Sequence, residues 1–159
     1  MSLEIRKSSS EDVGIILKLI YKLAEYEELT DMVTATEQQL IDTMFSDQPY
    51  AHCHIAFCDG EPVGYALYFF NYSTFLAKPG LYLEDLFVVP ESRGKGIGKQ
   101  LLLALAREAK EKDCGRMEWM ALDWNTPAHD FYQNLGAKMH EEWKLFRATG
   151  ESLDKLASL

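Results

Sequence analysis

Apolar residues recur at helical spacing through Val13, Ile16, Leu17, Ile20, Leu23 and Ala24, directly after Ser8-Ser9-Ser10-Glu11-Asp12, which has the spacing of a capping box. This pattern predicts a first helix. Thr36, with Gln39 three residues on, repeats the start signal for a shorter helix through Leu40, Ile41, Met44 and Phe45, ending before Asp47-Gln48-Pro49. The period then shortens to that of strands. Residues 51–58 mix polar and apolar positions over a strand length, Asp59-Gly60 supplies a hairpin turn, and residues 63–72 are rich in aromatic and branched side chains. A third strand is predicted over 81–89, stopped by Pro90. Gly94, Gly96 and Gly98 lead into an apolar helix over 98–112 carrying Leu101, Leu102, Leu105 and Ala109, with Gly115 just past its end. A strand over 116–124 follows, then a short helix opened by Asn125 or Thr126 and closed by Gly136, and a last strand over 143–148. Helices first, then an antiparallel hairpin, then strand, loop, helix, strand, helix and strand predict an α/β fold. Its expected form is a mixed central sheet flanked by helices, one domain over residues 1–159.

Composition narrows the possible partners. Lys and Arg total 16 against 25 Asp and Glu, a net charge of −9 that argues against nucleic acid and would attract a cationic small molecule. Cys53, Cys58 and Cys114 are an odd, scattered set, which disfavours a disulfide framework and suits the cytoplasm. The first residues lack the pattern of a signal peptide, and no apolar run approaches the roughly 20 residues of a membrane span. His52 and His54 share a strand face, but with no third ligand at suitable spacing no metal site is expected.

The chemistry concentrates in Arg93-Gly94-Lys95-Gly96-Ile97-Gly98. A glycine loop between a strand and a helix turns unpaired amides and the helix N-terminus toward one spot, where an anion is stabilised. Arg93, Lys95 and Lys99 reverse the sign of the chain locally. The alternative is a turn whose glycines merely let helix and strand pack closely. The loop is not a P-loop, because its lysine precedes Gln100 rather than Ser or Thr, and its G-x-G-x-G spacing is not the dinucleotide fingerprint. Glu84 and Asp85 interrupt an otherwise apolar strand. As neighbours they should point to opposite faces, and burial would raise a glutamate there toward the range of a general base.

Arg-x-x-Gly-x-Gly after a strand ending in proline resembles the acetyl-CoA loop of the GNAT superfamily of N-acetyltransferases. Tyr82-Leu83-Glu84-Asp85, the loop, Asp123-Trp124-Asn125 and Phe131-Tyr132, in this spacing, are similar to the spermidine/spermine (diamine) N-acetyltransferase family. Tyr21 to Tyr26, Tyr50-Ala51-His52-Cys53 and Gly64-Tyr65-Ala66-Leu67-Tyr68-Phe69 extend the likeness over nearly the whole chain.

The resemblance implies roles. Glu84 would remove the amine proton, through water, and Tyr132 would return one to the departing CoA thiolate. Leu86, Phe87 and Val88 would lend backbone groups to the pantetheine arm and acetyl carbonyl. Arg93, Gly94, Lys95, Gly96, Ile97, Gly98 and Lys99 would take the pyrophosphate of acetyl-CoA, with Asn125 a further contact. Tyr26, Glu27, Glu28 and Asp85 would meet the acceptor's ammonium groups, and Glu141 or Glu142 would reach the neighbouring subunit's site in a homodimer. Gln133 stands where relatives often carry a lysine. Ser73 and Phe75 replace an aspartate and a tryptophan of polyamine-acetylating members, which weakens the case for a long polycation. Tyr72-Ser73-Thr74 and Leu122-Asp123-Trp124-Asn125 look more like the thialysine-acetylating branch. The expected function is therefore transfer from acetyl-CoA to a primary amine of a small diamine, polyamine or lysine-like acceptor, by direct attack in a ternary complex. A non-catalytic CoA-binding module is an alternative that the joint presence of Glu84 and Tyr132 disfavours. An enzyme acting on protein or peptide amines is another, which competition by free amines would separate.

Overall fold

A computed structural model describes all residues, Met1–Leu159. The chain opens not on a helix but on a strand, β1 (Leu3–Lys7), which the sequence reading missed. It then runs through α1 (Val13–Tyr26), α2 (Glu37–Met44), β2 (His52–Cys58), β3 (Glu61–Ser73), β4 (Lys78–Val88), α3 (Ile97–Glu111) and β5 (Arg116–Trp119), followed by α4 (Thr126–Asn134) and α5 (Gly150–Ala157). Two compact units result, Met1–Met120 and Ala121–Leu159.

The first unit holds one five-stranded sheet of order β1-β2-β3-β4-β5, in which β1 to β4 are antiparallel and β5 runs parallel to β4. The expected mixed sheet is present. Asp59 and Gly60 both take positive φ, 50° and 84°, as a tight hairpin turn whose twist matches the flanking strands requires. The predicted cap of α2 is also made: Thr36 Oγ1 accepts from Gln39 N while Thr36 N donates back to Gln39 Oε1.

Two layers of helix cover the sheet. α3 buries Ile97, Leu101, Leu102, Leu105 and Ala109 against the face that carries Tyr68, whose hydroxyl donates to Glu108 of α3. His52 and His54 lie on this face, their rings each 5.4 Å from that of Tyr68, and burial lowers both pKa values. α1 covers the opposite face, burying Ile16 and Leu19 and bringing Tyr26 within 6.4 Å of Phe87. Side chains this enclosed each contribute about 2 kcal/mol through removal from water, so the sheet is a rigid platform for whatever projects from β4.

Two expected strands differ. The strand over 116–124 stops at Trp119, because its ladder with β4 runs from Gly80↔Arg116 to Leu83↔Trp119 and ends where β4 ceases to be regular. Over 143–148 no strand forms and no member of the sheet pairs with it; α5, unforeseen, follows. Alternation alone does not make a strand without a ladder partner.

Candidate functional site

β4 carries the site because it is irregular at one point. Its register with β3 passes from Leu67↔Asp85 to Tyr68↔Leu83, so Glu84 has no partner of its own and a β-bulge forms. Leu67 stands opposite Asp85, and Glu84 is the extra residue of the bulge. Glu84 is exposed, and the burial expected of it falls on Asp85 instead. Enclosure, with smaller contributions from the charges of Glu84 and Glu27, raises the Asp85 carboxyl to about 6, against the lowering effect of a hydrogen bond from Tyr65. That bond, Tyr65 Oη to Asp85 Oδ2, is 3.2 Å long.

The bulge is also where β5 leaves. Beyond Leu83 no residue of β4 pairs with β5, so along Glu84 to Val88 one edge of β4 offers its backbone groups to whatever enters beside it. Leu86, Phe87 and Val88 lie on this stretch, as backbone ligands would. One of their groups is already engaged: Arg93 Nε donates to Val88 O at 2.8 Å.

Arg93 departs from the sequence reading in its direction. Its guanidinium carbon sits 4.2 Å above the Tyr26 ring and 5.6 Å from that of Phe87, so it ties the loop to the end of α1. The remaining candidates for an anion contact in the loop include Gly94, Lys95, Gly96 and Lys99. Gly94 and Gly96 have φ of 78° and 79°, a region in which an L-residue costs about 1 kcal/mol or more, and a Cβ on either would meet nothing within 4 Å. These glycines are therefore not needed for helix–strand packing, which was the alternative explanation. Gly96 caps α3, Ile97 is buried as an anchor, Gly98 is half-buried, and Lys95 and Lys99 are exposed. The first amides of this 15-residue helix have no carbonyl a turn earlier and point out of its end, which fits the phosphate groups of a nucleotide cofactor.

Near the same edge, α1 ends at Tyr26 and Glu28 takes a left-handed φ of 58°, which turns Glu27 and Glu28 out as exposed carboxylates. Ser73 does not join them. It is 6% exposed, and its Oγ accepts from Leu76 N in the β3–β4 turn.

In the second unit Asn125 caps α4, its side-chain oxygen accepting from Ala128 N. Tyr132 is half-buried beside Phe131, at 5.3 Å between rings, and burial raises its pKa. Glu141 is exposed, whereas Glu142 is bonded to His140. No three His, Cys, Asp or Glu side chains are grouped to hold a metal ion. No helix is long and apolar enough to cross a membrane.

Sequence reasoning named Tyr65 only within the Gly64-Tyr65-Ala66-Leu67-Tyr68-Phe69 run and gave it no role of its own. The available signal was a tyrosine, rather than phenylalanine, facing the carboxylate strand.

Comparison with known proteins adds kinship. The model of the acetyltransferase (GNAT) family matches residues 17–137. The chain is 42% identical to a thialysine N-epsilon-acetyltransferase of Bos taurus over 96% of each chain. It is 32% identical to an L-ornithine N5-acetyltransferase of Arabidopsis thaliana, covering 98% of this chain and 88% of the relative. Among solved structures, an integron cassette protein from the mobile metagenome of V. cholerae superposes with a TM-score of 0.81 at 31% identity, over 100% of this chain and 99% of that one.

Proposed function

The chain belongs to the acetyltransferase (GNAT) family, and from that premise we propose that it transfers the acetyl group of acetyl-CoA to a side-chain amine of a small diamine or lysine-like acceptor, within a ternary complex. The observation that carries this reading is the single strand β4, which bears a carboxylate pair at its bulge, an edge left unpaired by β5, and a glycine cradle beyond its end.

Acetyl-CoA, when bound, supplies a thioester carbonyl open to attack by an amine. The Gly94–Lys99 amides, with Lys95 and Lys99, hold its phosphates, and the backbone of Leu86, Phe87 and Val88 orients its arm. Asn125 contributes through its NH2 group, its oxygen being used as the α4 cap. An aliphatic ammonium has a pKa near 10 and cannot attack until it loses a proton. Glu84, exposed on the bulge, takes that proton through water. Asp85, Glu27 and Glu28 hold the acceptor's second ammonium, and Tyr26, tied down by Arg93, walls the acceptor side. Tyr132 protonates the departing thiolate.

The protein acts in the cytoplasm as a homodimer, with Glu141 serving the neighbouring site. Three free thiols suit a reducing compartment, and the exposed Trp143 and Phe146 suit burial against a second copy.

Thialysine and ornithine are the acceptors in the names of two relatives, and both are short. Because Ser73 is consumed by a turn, it offers no contact to a distant ammonium, and Ser73→Asp would bury a charge rather than restore a contact. The test is kcat/KM for thialysine, lysine, ornithine, putrescine, spermidine and spermine at fixed acetyl-CoA. Short acceptors should exceed spermine by about tenfold, one unmatched ion pair's worth. Spermine as the best substrate refutes the acceptor assignment; no acetylation of any of them refutes the amine assignment.

Glu84→Gln should lower kcat/KM about a hundredfold at neutral pH with little change in acetyl-CoA affinity. Raising the pH should recover part of the loss, because more acceptor is already deprotonated. Rates equal to the unmodified enzyme across pH would assign the base elsewhere.

A further inference from the structure

Tyr65 sits on β3 paired with Phe87, and its ring is 0% exposed. Packing alone would be served by phenylalanine. Instead the hydroxyl reaches along the same face to Asp85 Oδ2, two residues before its register partner, at the point where the bulge displaces Glu84 toward solvent.

We propose that Tyr65 is a positioning residue that binds one oxygen of Asp85, keeps that carboxylate charged and leaves its other oxygen to the acceptor's ammonium. The proposal rests on the amine-acceptor reading given above.

The opposing influences on Asp85 can be named from every side. Glu84 on β4 and Glu27 beyond α1 are anionic and favour its neutral form, as does burial. Cys53 on β2 is itself buried, its thiol pushed up, and so is uncharged. Arg93 lies across Tyr26 and Phe87, engaged with Val88 O. Tyr65 on β3 donates to the carboxylate and so favours the charged form, its own proton held firmly because burial raises its pKa. With the carboxyl already raised to about 6, loss of this donor moves protonation into the neutral range, where an uncharged Asp85 no longer attracts a cation.

The sign follows. In Tyr65→Phe the Asp85 midpoint should rise by about one pH unit, as loss of a hydrogen bond to a charged group implies. The 13Cγ signal of Asp85, assigned with Asp85→Asn, reads this in the protein without substrate. The KM for thialysine should rise about threefold at pH 6.5, with kcat little changed, and return to that of the unmodified enzyme above about pH 8. Asp85→Asn should show a raised KM at all pH values, and adding Tyr65→Phe to it should change nothing further, a non-additivity that a packing role does not produce. An unmoved midpoint in an active enzyme overturns the proposal alone. A moved midpoint with an unchanged KM overturns it too, since the charge would then not be read by the acceptor. If the unmodified protein acetylates no amine, the acceptor reading fails and the proposal with it, whatever the midpoint does.

Discussion

Gly96→Asp should weaken acetyl-CoA binding about a thousandfold while the protein stays folded. Gly96 is the N-cap of α3 with a left-handed φ of 79°, and a side chain added there meets no protein atom within 4 Å. The cost to the fold is therefore conformational only, about 1 kcal/mol. The cost to binding is electrostatic. A carboxylate in the open space before the first amides of α3 would stand within about 4 Å of a bound phosphate, and like charges at that range near a protein surface repel by about 4 kcal/mol. That corresponds to about a thousandfold in affinity. Gly96→Ala carries the same backbone strain without the charge, and should lose no more than about tenfold. Calorimetric titration with acetyl-CoA beside a thermal melt separates the two effects. If the aspartate variant melts normally and binds as the unmodified protein does, the loop is not the anion site.

Why some of this was legible along the chain and some not is a matter of range. The α2 cap is a contact between residues three apart, Thr36 and Gln39, so its signal is local. The loop's conformation follows from Gly94 and Gly96, whose positive φ only glycine adopts freely, and it was equally readable. β1 escaped because five residues with Leu3 and Ile5 alternating among charges give too short a pattern, and its strand character depends on pairing with β2, about fifty residues away. The bulge was invisible for a stronger reason. Glu84 is odd only relative to Leu67 and Tyr68, and nothing in Leu83-Glu84-Asp85-Leu86 itself reveals which residue lacks a partner. That Asp85 and not Glu84 is the enclosed carboxylate goes with that one displaced residue. The surroundings of Arg93 were equally hidden from the sequence. Its charge marked it for the anion, but its neighbours in space are two aromatic rings and a carbonyl.

Tyr132→Phe should lower kcat about a thousandfold and leave the acetyl-CoA affinity and the acceptor KM within about twofold of the unmodified enzyme. The residue lies in α4, half-buried beside Phe131, and only its hydroxyl is removed, so the packing of the two rings is preserved. Burial raises its pKa above the ordinary tyrosine value, which keeps the proton on the hydroxyl throughout the neutral range. That suits a group whose task is to give a proton late in the reaction. A thiol's pKa, near 8.5, lies below that of a tyrosine, so the hydroxyl would help chiefly by hydrogen-bonding the sulfur as charge develops on it while the carbon–sulfur bond breaks. Without the donor the bond must break to a bare thiolate or wait for water, and general-acid assistance of this kind accounts for about a hundred- to ten-thousandfold in rate. In the proposed mechanism Glu84 would act on the amine before attack and Tyr132 on the thiolate after it, so their pH signatures would differ. Raising the pH rescues Glu84→Gln in part, by deprotonating the acceptor, but does nothing for Tyr132→Phe, whose deficit is a missing proton. Steady-state kinetics from pH 6.5 to 9, with a melt of each variant, distinguishes the two. A Tyr132→Phe enzyme with near-normal kcat and a lowered melting temperature would return Tyr132 to the packing of α4 and leave the thiolate to solvent.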